Sequence, residues 1–375
     1  FFQPLRDSEH WRQNQNAFAA KIIGDEGINF LNPLPVFGIN SNVPMELPIL
    51  QNLSGFLQMI GIKENITLRP VAWLVYILFV FFSYKLILNL SGEKVAEMVV
   101  VFFVFTPILY KYSNSYMIEF LPHLFGVLSL NMILNNKKIA PIFLSLSLLS
   151  KITTGVIYLS LFACILIFRN KEKLIKTFYV LSVAVIPYIV WNIYSDFKKS
   201  QNSLTSWLTS QNLFTYNFGT TEQYQNLEIY RKIIGILFDN FWGQSLIFLG
   251  VIFLVYTIIK RLEIIFVLIV PFVFINLYNI HEYYYLSVIP IVLFYIVNSL
   301  RQLIPIDKLF IIACLCIIVN INFGINKNNN QNYKIAYKVN EEIEQAEKLS
   351  VKLKPYPYEN TYLSSGINDW NPIIF

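Results

Sequence analysis

Apolar residues in this chain gather into long, nearly uncharged blocks parted by short polar breaks. Val71 to Leu90 holds a single charge, Lys85, and Val251 to Ile259 holds none. A helix crossing the hydrocarbon core needs about 20 apolar residues. Membrane β-strands would show short alternating segments instead. The pattern predicts an all-α polytopic membrane protein with spans near 70–90, 95–110, 117–134, 139–150, 152–168, 175–195, 242–259, 263–279, 284–300 and 308–323. Several are shorter than a full crossing, 139–150 most of all.

Polar sequence flanks this region. Residues 1–69 contain Pro33, Pro35, Pro44 and Pro48. Amphipathic helices are expected over Asn14 to Ile23 and over Leu47 to Ile62, the latter with Leu50, Leu53, Leu57 and Ile60 on one face. Such a segment is too long for a plain connection and reads as a structured loop. Residues 324–375 open with an Asn-rich linker, Asn326 to Asn332. A helix from Ile335 to Lys352 and a β-like Thr361-Tyr362-Leu363 are expected to follow, as a small soluble α/β tail. The start at Phe1 and the end at Ile373-Ile374-Phe375 read as cuts, with an upstream helix and a downstream segment expected beyond them.

Composition agrees with a membrane class. The 375 residues are 55% hydrophobic and 14% charged, with mean hydropathy +0.51. Soluble domains carry about 25% charge. The net charge of +6 does not indicate nucleic acid, because the basic residues sit in short loops where topology explains them. Cys164, Cys314 and Cys316 lie in apolar runs and read as packing residues.

Those loops also orient the chain. Lys137-Lys138, the Arg169 to Lys176 stretch, Lys260-Arg261, and Arg301 with Lys308 share one side if the spans alternate and 139–150 is a crossing. The positive-inside rule makes that side cytoplasmic. Segment 1–69, the turn at 111–116, the Ser150-Lys151 turn, the loop 196–241, the turn from Asn279 to Tyr283 and the tail 324–375 then share the outer face.

The polar groups that folding does not require fall on that face. Asp7-Ser8-Glu9-His10-Trp11-Arg12-Gln13 packs two acids, an imidazole, an indole and a guanidinium into a polar loop. A carboxylate there can act as general base on a hydroxyl, and an arginine can hold a phosphate bidentately. The plainer readings are a solvated acid and an interfacial tryptophan. Glu46 stands between Pro44 and Pro48, where it can serve a site, cap the next helix or pair with Arg12. Glu119 lies at the outer end of a span, and Lys151 interrupts an apolar stretch and needs an anion. Macrodipole stabilisation and snorkelling are their plainer readings. His281-Glu282-Tyr283-Tyr284-Tyr285 places an imidazole, an acid and three phenols in one outer turn, fit for phosphate or metal. No Walker loop, Rossmann glycine pattern or paired metal-histidine helix occurs, so a nucleotide-bearing donor has no support.

In order along the chain, these motifs resemble the bacterial GT-C membrane glycosyltransferases, relatives of the protein O-mannosyltransferases and of the lipid A aminoarabinose transferase. Asp7 to Gln15 and Pro44 to Pro48 look like that family's first outer loop. Ser115 to Glu119 looks like its second acidic position, Lys151-Ile152-Thr153 like its Lys-Pro-Thr, His281 to Tyr284 like its His-x-Tyr-Tyr, and Gly366 to Pro372 like a turn of its C-terminal domain. Glu9 stands where His is expected, Asn16 replaces Thr and Ile152 replaces Pro, which leaves the register of the catalytic acid open between Asp7 and Glu9.

The resemblance implies an inverting transferase of the bacterial inner membrane, with its site on the periplasmic face. Its donor would be a polyprenyl-phosphate sugar, and its acceptor a glycan, lipid or protein. Asp7, Glu9 and Glu119 would be the catalytic acids. His10, Trp11, Gln13, Glu46, Glu282 and Tyr283 would line the substrate, while Arg12, Lys151 and His281 would hold the phosphate as fixed cations. No cofactor is required by the motifs, and a divalent metal stays open. The competing classes are a polysaccharide transporter or flippase, which needs a polar path through the spans, and an O-antigen polymerase or ligase.

Overall fold

The computed structural model describes residues 10–31, 34–35, 42–169, 174–202, 205–242, 247–302, 305 and 308. Asp7 and Glu9 lie outside the described residues, as do the C-terminal tail and nearly all of the span expected at 308–323.

The expected outer loop is largely helical. His10 already belongs to a helix, α1 (His10–Glu26), so His10 to Gln13 are not loop residues as the sequence suggests. Two short antiparallel strands, β1 (Leu34–Pro35) and β2 (Asn42–Val43), follow. Then α2 (Ile49–Met59) falls inside the range its periodicity predicts. Small residues let α1 and α2 cross closely. Ala19 and Ala20 are fully buried, and a Cβ on Gly55 would stand 2.5 Å from Ile23 Cγ2 and 2.7 Å from the Ala20 carbonyl.

After a short α3 (Glu64–Thr67), α4 (Arg69–Ser91) is apolar around its whole circumference, as a buried or membrane helix is. It stops at Gly92, whose φ of +89° no β-carbon-bearing residue adopts easily. The span expected at 95–110 is broken. Pro107 ends α5 (Glu93–Phe105), and α6 (Pro107–Ser113) leaves at 67°. An irregular turn then leads into α7 (Phe120–Leu134), α8 (Ala140–Ser150) and α9 (Ile152–Cys164). The segment expected to cross at 139–150 is a helix of 11 residues. At 1.5 Å per residue it is about 16 Å long, half a hydrocarbon core. Its limits are the Asn135 to Lys138 turn and Lys151, whose extended backbone separates it from α9.

α10 (Leu174–Ser200) is long, and its apolar side chains Ile189, Val190 and Ile193 are exposed. Short helices α11 (Phe214–Phe218) and α12 (Thr221–Gln225) lead to α13 (Leu227–Trp242) and α14 (Ile247–Lys260). The apolar stretch expected as one span at 263–279 is three pieces: α15 (Ile264–Leu268), α16 (Val270–Val273) and α17 (Ile275–Ile280). A 3₁₀ turn, Glu282–Ser287, precedes α18 (Ile289–Leu300). Among the described residues, Glu64–Ser91 and Phe178–Ser200 are long and apolar enough to cross a membrane alone, and the bent α5–α6 pair could make a third.

The core is aromatic where α4, α5 and α7 meet. Phe79 lies 5.4 Å from the Phe103 ring and 5.2 Å from His123, and Tyr76 meets Phe120 edge-on at 4.6 Å. α7 and α9 touch through Gly126, where a Cβ would come within 2.2 Å of the Tyr158 ring. This packing aligns one end of α7, α9 and the 3₁₀ turn, and the polar groups collect at that end.

Candidate functional site

Arg12 stands in the first turn of α1, with its Nη2 2.6 Å from Glu46 Oε1. Glu46 occupies the extended segment between β2 and α2, and that segment is fixed on both sides. Leu47 N donates to the Leu149 carbonyl at 2.9 Å, Trp191 Nε1 to the Met45 carbonyl at 2.8 Å, and Ser195 Oγ to the Pro44 carbonyl at 2.6 Å. Pro48 rather than Glu46 stands at the N-cap of α2, so of the open readings for Glu46 the pairing with Arg12 is realised and the cap is not.

A second pair sits beside the first. Glu119 ends the turn before α7, and its side chain makes no cap hydrogen bond to that helix. It bonds Lys151 instead, with both side chains buried. Lys151 reaches Glu119 because the break between α8 and α9 turns its side chain out of the helical register. The Lys151 ammonium also lies 4.7 Å from the Tyr283 ring and 4.2 Å from the Tyr284 ring. Those rings stack on each other at 4.7 Å. His281 is 5.2 Å from Tyr283, and its Nε2 meets Tyr216 Oη at 2.8 Å. Glu282 turns away to Lys111, at 2.7 Å.

Electrostatics joins these contacts into one cluster. Burial opposes the Arg12 charge, but Glu46, Tyr283, Tyr284 and Glu119 act on it and raise its pKa. Burial likewise opposes the Glu46 carboxylate, yet Arg12, a backbone hydrogen bond and Lys151 bring its pKa below the ordinary value. His281 behaves differently from its expected part as a cation. Burial, then Lys151, then Arg12 push its pKa down to about 4, so the imidazole is neutral at neutral pH. It can offer a hydrogen bond but not a charge.

The structure therefore brings together Arg12, Glu46, Glu119, Lys151, His281 and Tyr283. The backbones of His10 and Trp11 are helical, and their side chains lie outside the described residues. Gln13 is fully buried, and its Oε1 accepts the Tyr116 N–H at 2.9 Å. It fastens α1 to the turn that carries Glu119 rather than lining a ligand space. Asn16 continues that seam. Its Oδ1 accepts from Gln51 Nε2 at 2.9 Å, and its Nδ2 donates to the Tyr116 carbonyl at 3.4 Å. Sequence reasoning missed this seam, although Gln13 and Asn16 at i, i+3 share a helix face. It also missed Lys111 and Tyr216, which only the fold brings near. Among the described residues no three His, Cys, Asp or Glu side chains group closely enough to hold a metal.

A cavity of about 880 Å³ lies further along the same helices. Leu86, Leu130, Leu161 and Phe294 line it, and Arg261, Glu263 and Asn298 stand at its far end. Tyr158 lines it as well and bonds His123 Nδ1 at 2.9 Å, so this pair lies between the cavity and the charged cluster.

No known family model matches the sequence, and no curated protein sequence matches it. Among solved structures, the crystal structure of ArnT from Cupriavidus metallidurans bound to undecaprenyl phosphate is similar, with a TM-score of 0.53 at 12% identity. The match covers 78% of this chain and 56% of ArnT, so this chain spans little more than half of that protein's length. At this identity the likeness speaks for fold, and the fold is that of an all-α polytopic membrane protein of GT-C-like architecture.

Proposed function

We propose that this protein is an inverting glycosyltransferase of a bacterial inner membrane, moving a sugar from a polyprenyl-phosphate carrier to an acceptor on the outer face. The observation that carries this reading is the meeting of a buried ion pair, Glu119 with Lys151, and a part-buried one, Arg12 with Glu46, beside a stacked tyrosine pair. Charged groups at the edge of a membrane bundle are costly unless they serve a function. The likeness to a structure holding undecaprenyl phosphate supports the choice of carrier. In domain terms, residues 1–69 form the outer-face part, 70–323 the membrane part and 324–375 an outer-face tail.

Arg12 and Lys151 would bind the phosphate, with His281 donating a neutral hydrogen bond and Tyr283, His10 and Trp11 lining the donor, while Glu282 is engaged by Lys111. A phosphate arriving at Lys151 competes with Glu119 and sets that carboxylate free. The acceptor oxygen then bonds to the anomeric carbon while the bond from that carbon to the phosphate oxygen breaks. The electron pair leaves with the polyprenyl phosphate, the acceptor proton passes to Asp7, Glu9 or Glu119, and configuration inverts. Fixed cations facing the developing phosphate charge lower the barrier.

The test is sugar transfer from a synthetic polyprenyl-phosphate sugar by the protein in vesicles, run beside a transport assay with the same lipid. Transfer is expected. Transport of the intact lipid without transfer would establish the flippase reading instead. Full activity in each of Asp7→Asn, Glu9→Gln and Glu119→Gln would overturn the assignment of the acids.

A further inference from the structure

Lys199 stands in the last turn of α10, a helix to which the sequence motifs assign no role. Its side chain is 8% exposed, as hidden as those of Arg12 at 12% and Lys151 at 6%. Those two cations each have a carboxylate at hydrogen-bond distance. Lys199 does not: among the described residues its ion-pair partner is Asp196, at 4.0 Å. The same Asp196 Oδ1 already accepts the Ser210 N–H at 2.9 Å. A nearly buried ammonium without a close acceptor is costly and calls for an anion.

Lys199 lies one turn beyond the α10 residues that hold the segment carrying Glu46. Trp191, Ser195 and Lys199 are spaced i, i+4, i+8 and so form one stripe along α10. Trp191 and Ser195 are the residues that bond the Met45 and Pro44 carbonyls beside Glu46. The next position on that stripe is Lys199, and its charge interacts with Glu46 as well as Asp196. Lys199 thus stands past the Pro44 end of the segment that carries Glu46, within electrostatic reach of that carboxylate.

We propose that Lys199 seats a second anionic group of the substrate, a carboxylate or phosphate distinct from the carrier phosphate held by Arg12 and Lys151. This rests on the transferase reading and narrows it to an acid-bearing substrate. The anion belongs to either the transferred sugar or the acceptor.

Binding to the full chain in nanodiscs tests this, with four probes beside undecaprenyl phosphate itself. Two are donors, undecaprenyl-phospho-glucose and undecaprenyl-phospho-glucuronate. Two are soluble acceptor mimics, glucose and glucose 6-phosphate. The wild type is expected to prefer one acid-bearing probe over its neutral partner by about tenfold or more. Preference for the glucuronate donor places the anion on the sugar, and preference for glucose 6-phosphate places it on the acceptor. Lys199→Met should remove the preference, Lys199→Arg should keep it, and undecaprenyl phosphate should bind all three equally. Lys199→Gln repeats the measurement if the methionine variant unfolds. No preference in the wild type, or an undiminished one in the Lys199→Met and Lys199→Gln variants, overturns the proposal. Failure of undecaprenyl phosphate to bind would fault the carrier reading instead, and the glucose 6-phosphate arm would still report on Lys199.

Discussion

Lys151 and Glu119 neutralise each other in a place that water barely reaches. Removing one partner of such a pair strands the other charge, at a cost of about 3–5 kcal/mol. Lys151→Met should therefore lower the thermal midpoint sharply and cut sugar transfer by about 100-fold or more. Adding Glu119→Gln should restore much of the stability and none of the activity, and a double-mutant cycle read by both unfolding and transfer checks this. His281 supplies a pH signature. In the unfolded chain it takes up a proton near pH 6.5, but in the fold only near pH 4. Between those values the unfolded state binds more protons, so stability is full above pH 6.5 and falls as pH drops toward 4. His281→Gln should flatten that part of the unfolding profile, and an unchanged slope would contradict the neutral imidazole.

Among the elements, α1 and α2 set the position of Arg12. Glu46 is tied to α8 and α10 and stays where it is. Gly55→Ala would press a methyl against Ile23 and the Ala20 carbonyl. Overpacking of this kind costs about 1–3 kcal/mol. It should move α1 off α2 and open the Arg12–Glu46 pair, seen as a lower thermal midpoint together with weaker undecaprenyl phosphate binding. Hydrophobic periodicity made α2 legible from sequence, and the continuous apolar blocks marked α4 and the bundle. The breaks were harder to read. Pro107 carried a signal, but the extended backbone at Lys151 and the division of 264–280 into three helices arise from packing. Arg12, Glu46, Glu119, Lys151 and His281 were legible because a charge or an imidazole amid apolar sequence stands out. Gln13, Asn16, Gln51 and Lys199 were not, since uncharged amides and a lysine beside a second lysine resemble ordinary surface.

For the molecule as a whole, the charged cluster and the apolar cavity lie toward opposite ends of α7 and α9. The proposed orientation puts the cluster outside and the basic turn at Lys137-Lys138 inside. In a cysteine-free background, a cysteine at Trp207 should react with an impermeant thiol reagent added to intact spheroplasts, and one at Lys137 only after lysis. The reverse pattern would invert the topology and move the acceptor to the cytoplasm.

The side chains of the cluster share one further trait: none belongs to the middle of a long helix. Arg12 opens α1, Glu46 lies between two prolines, Glu119 precedes α7, Lys151 parts α8 from α9, and His281 follows α17. The helices between them need only stay apolar and keep their lengths, and many sequences meet that demand. Substitutions inside those helices should therefore disturb the cluster less than substitutions at the breaks. A fold that asks so little of its helices is compatible with a likeness to ArnT at only 12% identity.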